Sequence, residues 1–135
     1  TFLPVKAKDT RDHPMHGEWG ELSEITADAV NHAHAGGKRV LAIGSTSLRL
    51  LESAAKDDGS VRPFRGETDL FVTPGYQFKV VDLMLTNFHL PRSTLFMLVS
   101  AFAGYQNVMS AYQAAVAERY RFFSYGDAMY IPKRG

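Results

Sequence analysis

Three short groups of polar residues in this chain could do chemistry. The first contains Asn87 and His89, just before Pro91 in the stretch TNFHLPRSTLFMLVSAFAG, residues 86–104. Proline disfavours helix in the residue before it, so the pair is predicted to lie in a turn between elements. Histidine can act as a general base near neutral pH, and asparagine can orient a hydroxyl or an amine. A lone histidine in a turn is more often structural, so the residues alone leave both interpretations open.

The second group is Gly44, Ser45, Thr46 and Ser47, between a predicted strand and a predicted helix. The backbone N–H groups and hydroxyls of such a turn can hold a phosphate or a carboxylate. Arg49 follows one helical turn later, where its guanidinium could make a bidentate contact with the anion. The alternative is that Ser45 merely caps the helix, because the turn has no P-loop lysine.

The third group is residues 120–129, where polar and aromatic side chains alternate. Its candidate site residues are Phe122, Ser124, Tyr125 and Asp127. Aromatic faces can stack on a purine. An ordinary strand followed by a Tyr-Gly-Asp turn would explain the same residues.

The elements predicted to position these groups alternate between strand and helix, which is typical of the α/β fold class. Strands are predicted at 2–5, 39–43, 70–73, 78–86 and 121–124, and helices at 24–35, about 45–55, 94–103 and 106–119. Residues 6–18 and 56–69 are predicted to be loops, and the strand at 39–43 is predicted to be buried. His32 and His34 are predicted to face solvent, and Asp82 is predicted to pair with Lys79 or with His89.

Composition excludes several classes of protein. The chain has 135 residues, 45% of them hydrophobic, which suits one domain. Its 15 basic and 14 acidic residues nearly cancel, so any RNA contact must be local. The absence of cysteine excludes disulfides and thiolate chemistry. His13 and His16 have no third ligand at a diagnostic distance, so no metal is expected. With no signal peptide and no membrane-spanning run, a soluble cytoplasmic protein is predicted.

Several segments carry a resemblance. TNFHLPRSTLFMLVSAFAGY and YRFFSYGDAM resemble signature segments of the S-adenosylmethionine:tRNA ribosyltransferase-isomerase family of queuosine biosynthesis. DHPMHGEW, GSTSLRLLESAA and PGYQFKVVDLMLTNFHLP match further segments in the family's order. Because members of this family are much longer, residues 1–135 are interpreted as the C-terminal portion of the catalytic α/β domain, without its N-terminal portion and the inserted β-barrel domain. The resemblance implies a barrel-like mixed α/β core.

The resemblance also implies a reaction. The ribosyl moiety of S-adenosylmethionine would be transferred to 7-aminomethyl-7-deazaguanine at the tRNA wobble position and isomerised. The products would be epoxyqueuosine-tRNA, adenine and methionine. The implied partners are tRNA and S-adenosylmethionine, which is a substrate, so no cofactor is expected. A monomer is expected.

Roles for the three groups follow from the resemblance. His89 would be the base or a proton shuttle, with Asn87 and Asp127 orienting the ribose or the amine. The predicted substrate-binding residues are Ser45, Thr46, Ser47, Arg49, Phe122, Ser124 and Tyr125. The hydroxyl-rich turn and its arginine would hold the methionyl carboxylate of the donor or an RNA phosphate. Phe122 or Tyr125 would lie near the sulfonium, which attracts aromatic faces.

Two other interpretations stay open. The chain could be a non-catalytic RNA-binding α/β module that stacks exposed bases on its aromatic C-terminal segment. Such a module would bind RNA without binding the donor. Alternatively, it could be a structural half-domain that folds only beside a missing partner, and exposed apolar surface would favour that interpretation.

Overall fold

The computed structural model describes residues 17–68, 70–89, 93–123 and 126–134. In chain order its elements are β1 (Glu18–Leu22), α1 (Glu24–Ala35), β2 (Leu41–Ile43), α2 (Ser45–Ser53), β3 (Phe64–Thr68), β4 (Leu83–Asn87), α3 (Thr94–Ala103), α4 (Tyr105–Ala117) and β5 (Ala128–Pro132). The predicted strand at 2–5 and both His13 and His16 lie outside the described residues.

The described strands form two sheets. β1 and β3 pair antiparallel, with Glu18 opposite Thr68. The other sheet has the order β2-β4-β5, in which β2 is parallel to β4 and β5 is antiparallel to it. The α/β class is therefore confirmed. The predicted barrel-like arrangement is not seen among the described residues, whose two sheets are separate.

One face of the three-stranded sheet packs on the hydrophobic core, and the other face is largely exposed. Ala42, Met84 and Ile131 are neighbours across the sheet and belong to the hydrophobic core, which also contains Val99 and Phe102 of α3. The opposite face carries exposed apolar side chains, among them Leu41, Ile43 and Tyr130. The prediction of a buried strand at 39–43 is therefore correct for one face only, because the other face of β2 is uncovered. This exposed apolar face is what the half-domain interpretation predicts.

Local capping explains where three of the helices begin or end. The Ser23 hydroxyl accepts the N–H of Thr26 at the start of α1, and the Ser93 hydroxyl accepts the N–H of Phe96 at the start of α3. Gly104, with φ of 92°, ends α3 and begins α4, because this φ is easy only for glycine. All four helices of the described residues were predicted from the sequence.

The strands were predicted less well. Glu18 was assigned to a loop but begins β1, and the predicted loop at 56–69 contains β3. No strand forms among the described residues of 70–73 or of 121–124, and the last strand is β5, which begins later. The reason is that β1 and β3 stabilise each other across about fifty residues of chain, which local sequence patterns do not report.

Candidate functional site

The first two predicted groups meet at one edge of the three-stranded sheet. β2 and β4 are parallel, with Ile43 opposite Leu85, so their carboxyl ends lie side by side. The Gly44 N–H donates to the Leu85 carbonyl at 2.8 Å, which fastens the turn after β2 to β4. β4 then ends at Asn87. Open α/β sheets bind ligands outside the carboxyl ends of their strands, so this edge is the candidate site.

His89 is buried just beyond this edge and is only 8% exposed. Its Nε2 lies 3.0 Å from the Thr86 hydroxyl, and its backbone N–H donates to the Tyr112 hydroxyl at 2.7 Å. Burial disfavours the charged ring and lowers the pKa of His89 to about 4. The imidazole is therefore neutral at neutral pH, with one ring nitrogen that donates and one that accepts.

Asn87 joins the edge to the third group. Its side-chain amide donates to the backbone carbonyl of Phe123, and the Phe123 N–H donates to the Phe88 carbonyl at 2.9 Å. The chain after α4 is thus fastened to the end of β4 by two hydrogen bonds. The structure therefore brings Asn87, His89 and the start of the third group together.

Asp127 lies next to the same edge, since Ala128, which follows it, is opposite Asn87 in the β4–β5 pair. Its Oδ2 accepts the Arg121 N–H at 2.5 Å and lies 3.7 Å from Arg121 Nε. The carboxylate therefore closes the loop between α4 and β5. Ser124 and Tyr125, within this loop, lie outside the described residues.

Phe122 packs into an aromatic cluster. Its ring is stacked on Phe88, with centroids 5.2 Å apart, and meets Tyr112 edge-on at 5.8 Å. The next residue, Phe123, is instead 42% exposed and has φ of 55°, in the left-handed region. Sequence reasoning included Phe123 in the third group but gave it no role of its own, because nothing in the residue type signals such a backbone conformation.

The turn after β2 is built by glycine. Gly44 has φ of 90° and is the N-cap residue of α2, with no side-chain capping hydrogen bond. The alternative that Ser45 caps this helix was therefore wrong, and Ser45 is instead the buried first residue of α2. The Thr46 hydroxyl donates to Glu18 Oε2 at 2.9 Å, and Ser47 is exposed.

Arg49 does not lie where an anion contact requires it. The side chain is fully buried, and its Nη1 lies 2.6 Å from Glu18 Oε1. Its other nitrogens donate to the backbone carbonyls of Thr68 and Leu70. The predicted contact with a substrate anion is corrected accordingly, because these donors fasten α2 to β1 and to the end of β3.

Asp82 also has other partners than those predicted. Its Oδ2 accepts the Val40 N–H at 2.8 Å and lies 3.1 Å from His34 Nε2. His34 is therefore half-buried against the segment before β4 instead of facing solvent, whereas His32 is exposed as predicted. This pair aligns α1 with the start of the central strand.

Glu52 is a structural anchor that sequence reasoning missed. It is 4% exposed, and its carboxylate accepts the backbone N–H groups of Lys79, Val80 and Val81 and the Tyr76 hydroxyl. Burial and the neighbouring Glu52 charge raise the pKa of Tyr76. The carboxylate thus joins α2, which begins at the candidate site, to the segment that leads into β4.

Neither a metal site nor a membrane-spanning helix is found in the described part of the chain. No group of three histidine or acidic side chains there could hold a metal ion. No helix among residues 17–134, as far as they are described, is long and apolar enough to cross a membrane.

The family described as queuosine biosynthesis protein matches residues 1–131. The chain belongs to this family. The predicted resemblance is thereby confirmed, and it extends over nearly the whole chain.

Named relatives agree with the family. A protein of Afipia carboxidovorans named S-adenosylmethionine:tRNA ribosyltransferase-isomerase is 66% identical over 128 residues, which are 95% of this chain and 36% of the relative. A protein of Methylocella silvestris with the same name is also 66% identical over 128 residues, again 95% of this chain and 36% of the relative. The chain thus spans about a third of the length of these relatives.

A solved structure shares the fold. The crystal structure of an S-adenosylmethionine tRNA ribosyltransferase from Thermotoga maritima is 48% identical to this chain, with a TM-score of 0.78. The match covers 84% of this chain and 40% of that one. The arrangement of sheets and helices described above is therefore similar to part of that structure.

Proposed function

We propose that this chain forms part of the catalytic domain of an S-adenosylmethionine:tRNA ribosyltransferase-isomerase that works in the cytoplasm. The observation that carries the proposal is the 66% identity, over 95% of the chain, to relatives that bear this name. The substrates would be S-adenosylmethionine and a tRNA with 7-aminomethyl-7-deazaguanine at the wobble position. The proposed enzyme is a monomer that needs no cofactor, since S-adenosylmethionine is its substrate.

The proposed reaction places three demands on the protein. A proton must leave the carbon beside the sulfonium, adenine and methionine must depart, and the amine of the deazaguanine must be held against the ribosyl carbon. Orientation and water exclusion lower the barrier to such steps, as does proton transfer by a positioned side chain. The product would be epoxyqueuosine-tRNA.

His89 is proposed as a proton shuttle. A group with pKa of about 4 is a weak base at neutral pH, which argues against proton abstraction by the imidazole alone. A neutral imidazole beside the Thr86 hydroxyl can instead accept a proton at one nitrogen while it donates from the other. The geometry therefore favours the shuttle over the free base.

Asn87 and Asp127 are proposed to orient the ribose or the amine. Both lie at the carboxyl edge of β4, and both stabilise the loop between α4 and β5. The turn after β2, with Ser45, Thr46 and Ser47, is proposed to bind the donor carboxylate or an RNA phosphate through its N–H groups. Phe122, Ser124 and Tyr125 are proposed as further substrate-binding residues.

Adenine release tests the proposal. The matching 128 residues of the Afipia carboxidovorans relative are replaced by those of this chain, and the chimera is mixed with S-adenosylmethionine and the modified tRNA. Adenine should appear only when both substrates are present. His89→Gln should abolish the release without unfolding the protein, and His32→Gln, on the exposed surface of α1, should leave it unchanged. Unchanged release by His89→Gln would refute the role of His89.

The exposed ring of Phe123 also favours a second candidate, an RNA-binding module without catalysis. Such a module would bind the tRNA with the same affinity whether or not the donor is present. A folded chimera that binds the tRNA but neither binds S-adenosylmethionine nor releases adenine would favour this candidate.

A further inference from the structure

We propose that residues 119–123 form a platform for one unstacked base of a single-stranded RNA loop, with Phe123 as the stacking residue and Asn87 as the residue that positions it. The exposed residues of this platform are Arg119, Tyr120, Arg121 and Phe123. The inference deepens the proposed function by naming how RNA is held, and it rests on that function only for the identity of the RNA.

The backbone presents Phe123 outward in an unfavourable conformation. A φ of 55° is costly for a bulky residue, so it persists only where surrounding contacts hold it. Those contacts include the hydrogen bond from the Asn87 amide to the Phe123 carbonyl and the one from the Phe123 N–H to the Phe88 carbonyl. The preceding ring, Phe122, packs inward on Phe88, while Phe123 remains 42% exposed. Asn87 thus holds an aromatic residue at the surface of the candidate site.

Two exposed arginines precede Phe123 within four residues of the chain. Arg119 is exposed, and the side chain of Arg121 is 69% exposed. Tyr120 between them is 50% exposed. A methyl group on Gly126 would come within 3.0 Å of the Arg121 guanidinium, so that guanidinium packs directly on the Gly126 backbone. Asp127 Oδ2 lies 3.7 Å from Arg121 Nε and offsets part of its charge.

Exposed basic residues also lie at the opposite end of the sheet. The other exposed basic pair of this region, Lys133 and Arg134, follows β5 beside Leu83, where β4 begins. Since β4 has five residues, its two ends are about 13 Å apart. The pair at 133–134 therefore lies at the end of β4 remote from Phe123, and it supplies a matched charge control.

Alternating cations and exposed rings suit single-stranded RNA. Phosphates are attracted by the arginines, and an unstacked base gains a π-face to stack on. A base in a duplex is already stacked on its neighbours and cannot use such a platform. The surface should therefore distinguish a looped RNA from a paired one.

The experiment measures binding of two RNA probes to the full-length chimera described above. One is a hairpin with 2-aminopurine in its single-stranded loop, and the other is a fully paired duplex of the same composition. Fluorescence anisotropy gives affinity, and quenching of 2-aminopurine reports stacking. Phe123→Gly keeps the backbone conformation, since glycine accepts this φ, and removes the ring.

Phe123→Gly should weaken hairpin binding by roughly 5- to 150-fold and abolish the quenching, with little change for the duplex. Phe123→Trp should retain both the hairpin affinity and the quenching. Asn87→Ala should reduce quenching while the ring is still present. Tyr105→Ala removes an exposed ring at the opposite end of α4 and should have no effect. Arg121→Ala should weaken hairpin binding more than Lys133→Ala does.

Unchanged hairpin affinity in Phe123→Gly, or an equal loss for hairpin and duplex, would overturn the inference. Its failure is distinguishable from failure of the proposed function, because adenine release is measured separately. Adenine release with unaltered RNA affinity in Phe123→Gly would refute only the platform. Loss of quenching in Phe123→Gly, together with a chimera that releases no adenine, would refute only the proposed enzymatic function.

Discussion

Replacing Glu52 by glutamine should destabilise the chain strongly, although the side chain keeps its size. One carboxylate oxygen accepts the Lys79 N–H and the Tyr76 hydroxyl, and the other accepts the N–H groups of Val80 and Val81 at 2.8 and 3.0 Å. A glutamine can supply only one of these acceptors. Its NH₂ group would then face two backbone donors.

The size of the destabilisation by Glu52→Gln follows from the burial of those backbone donors. Val80 and Val81 are 1% and 0% exposed, so water cannot replace the lost acceptor. Leaving a buried donor unsatisfied costs about 1–3 kcal/mol, so two of them cost about 4 kcal/mol. For a chain of 135 residues, that loss lowers the melting temperature by roughly 10–15 °C.

The assay is urea unfolding, followed by circular dichroism and by the fluorescence of Trp19. Glu52→Gln is compared with Glu67→Gln, which removes the same charge from an exposed position of β3 and should change the free energy of unfolding by less than about 0.5 kcal/mol. A loss below about 1 kcal/mol for Glu52→Gln would refute the reasoning, because the two valine N–H groups would then have found another acceptor.

Two other perturbations test the structural account. The pKa of His89 is about 4 in the folded state and near 6.5 in the unfolded state, so the unfolded state binds the proton first as the pH falls. The free energy of unfolding should therefore be full above pH 6.5 and fall by roughly 3 kcal/mol as the pH drops to 4. His89→Gln, measured by urea unfolding across pH, should remove that part of the pH dependence. Persistence of the slope in His89→Gln would assign it to other groups. Arg49→Met should lower the free energy of unfolding by about 3–5 kcal/mol, because Glu18 and two backbone carbonyls lose the donors of Arg49. Arg62→Met, at an exposed position, should leave the free energy of unfolding nearly unchanged. Equal effects of the two substitutions would contradict the burial of Arg49.

Helices could be predicted from the sequence because their signals are local. Ser23, Ser93 and Gly104 act within one helical turn, and each does in the structure what its residue type predicts. The position of the turn after β2 beside Asn87 could also be predicted, because parallel strands have their carboxyl ends at the same edge of a sheet. The family was identified correctly from short segments of the chain.

What could not be predicted depends on partners distant in sequence. β3 forms only because β1 pairs with it, and its residues FRGET carry a glycine and charged side chains that favour a loop. Arg49 looked like an anion ligand because its burial depends on Glu18, which is 31 residues away. Glu52 and Phe123 likewise take their roles from backbone groups of other segments.

The most direct test of the central claim is the mass of the RNA product made by the chimera described above. Ribosyl transfer predicts that the modified tRNA nucleoside gains a ribosyl-derived ring with its epoxide, in an amount equal to the adenine released. A gain of one methyl group instead, or no gain from a folded chimera that binds both substrates, would contradict the account.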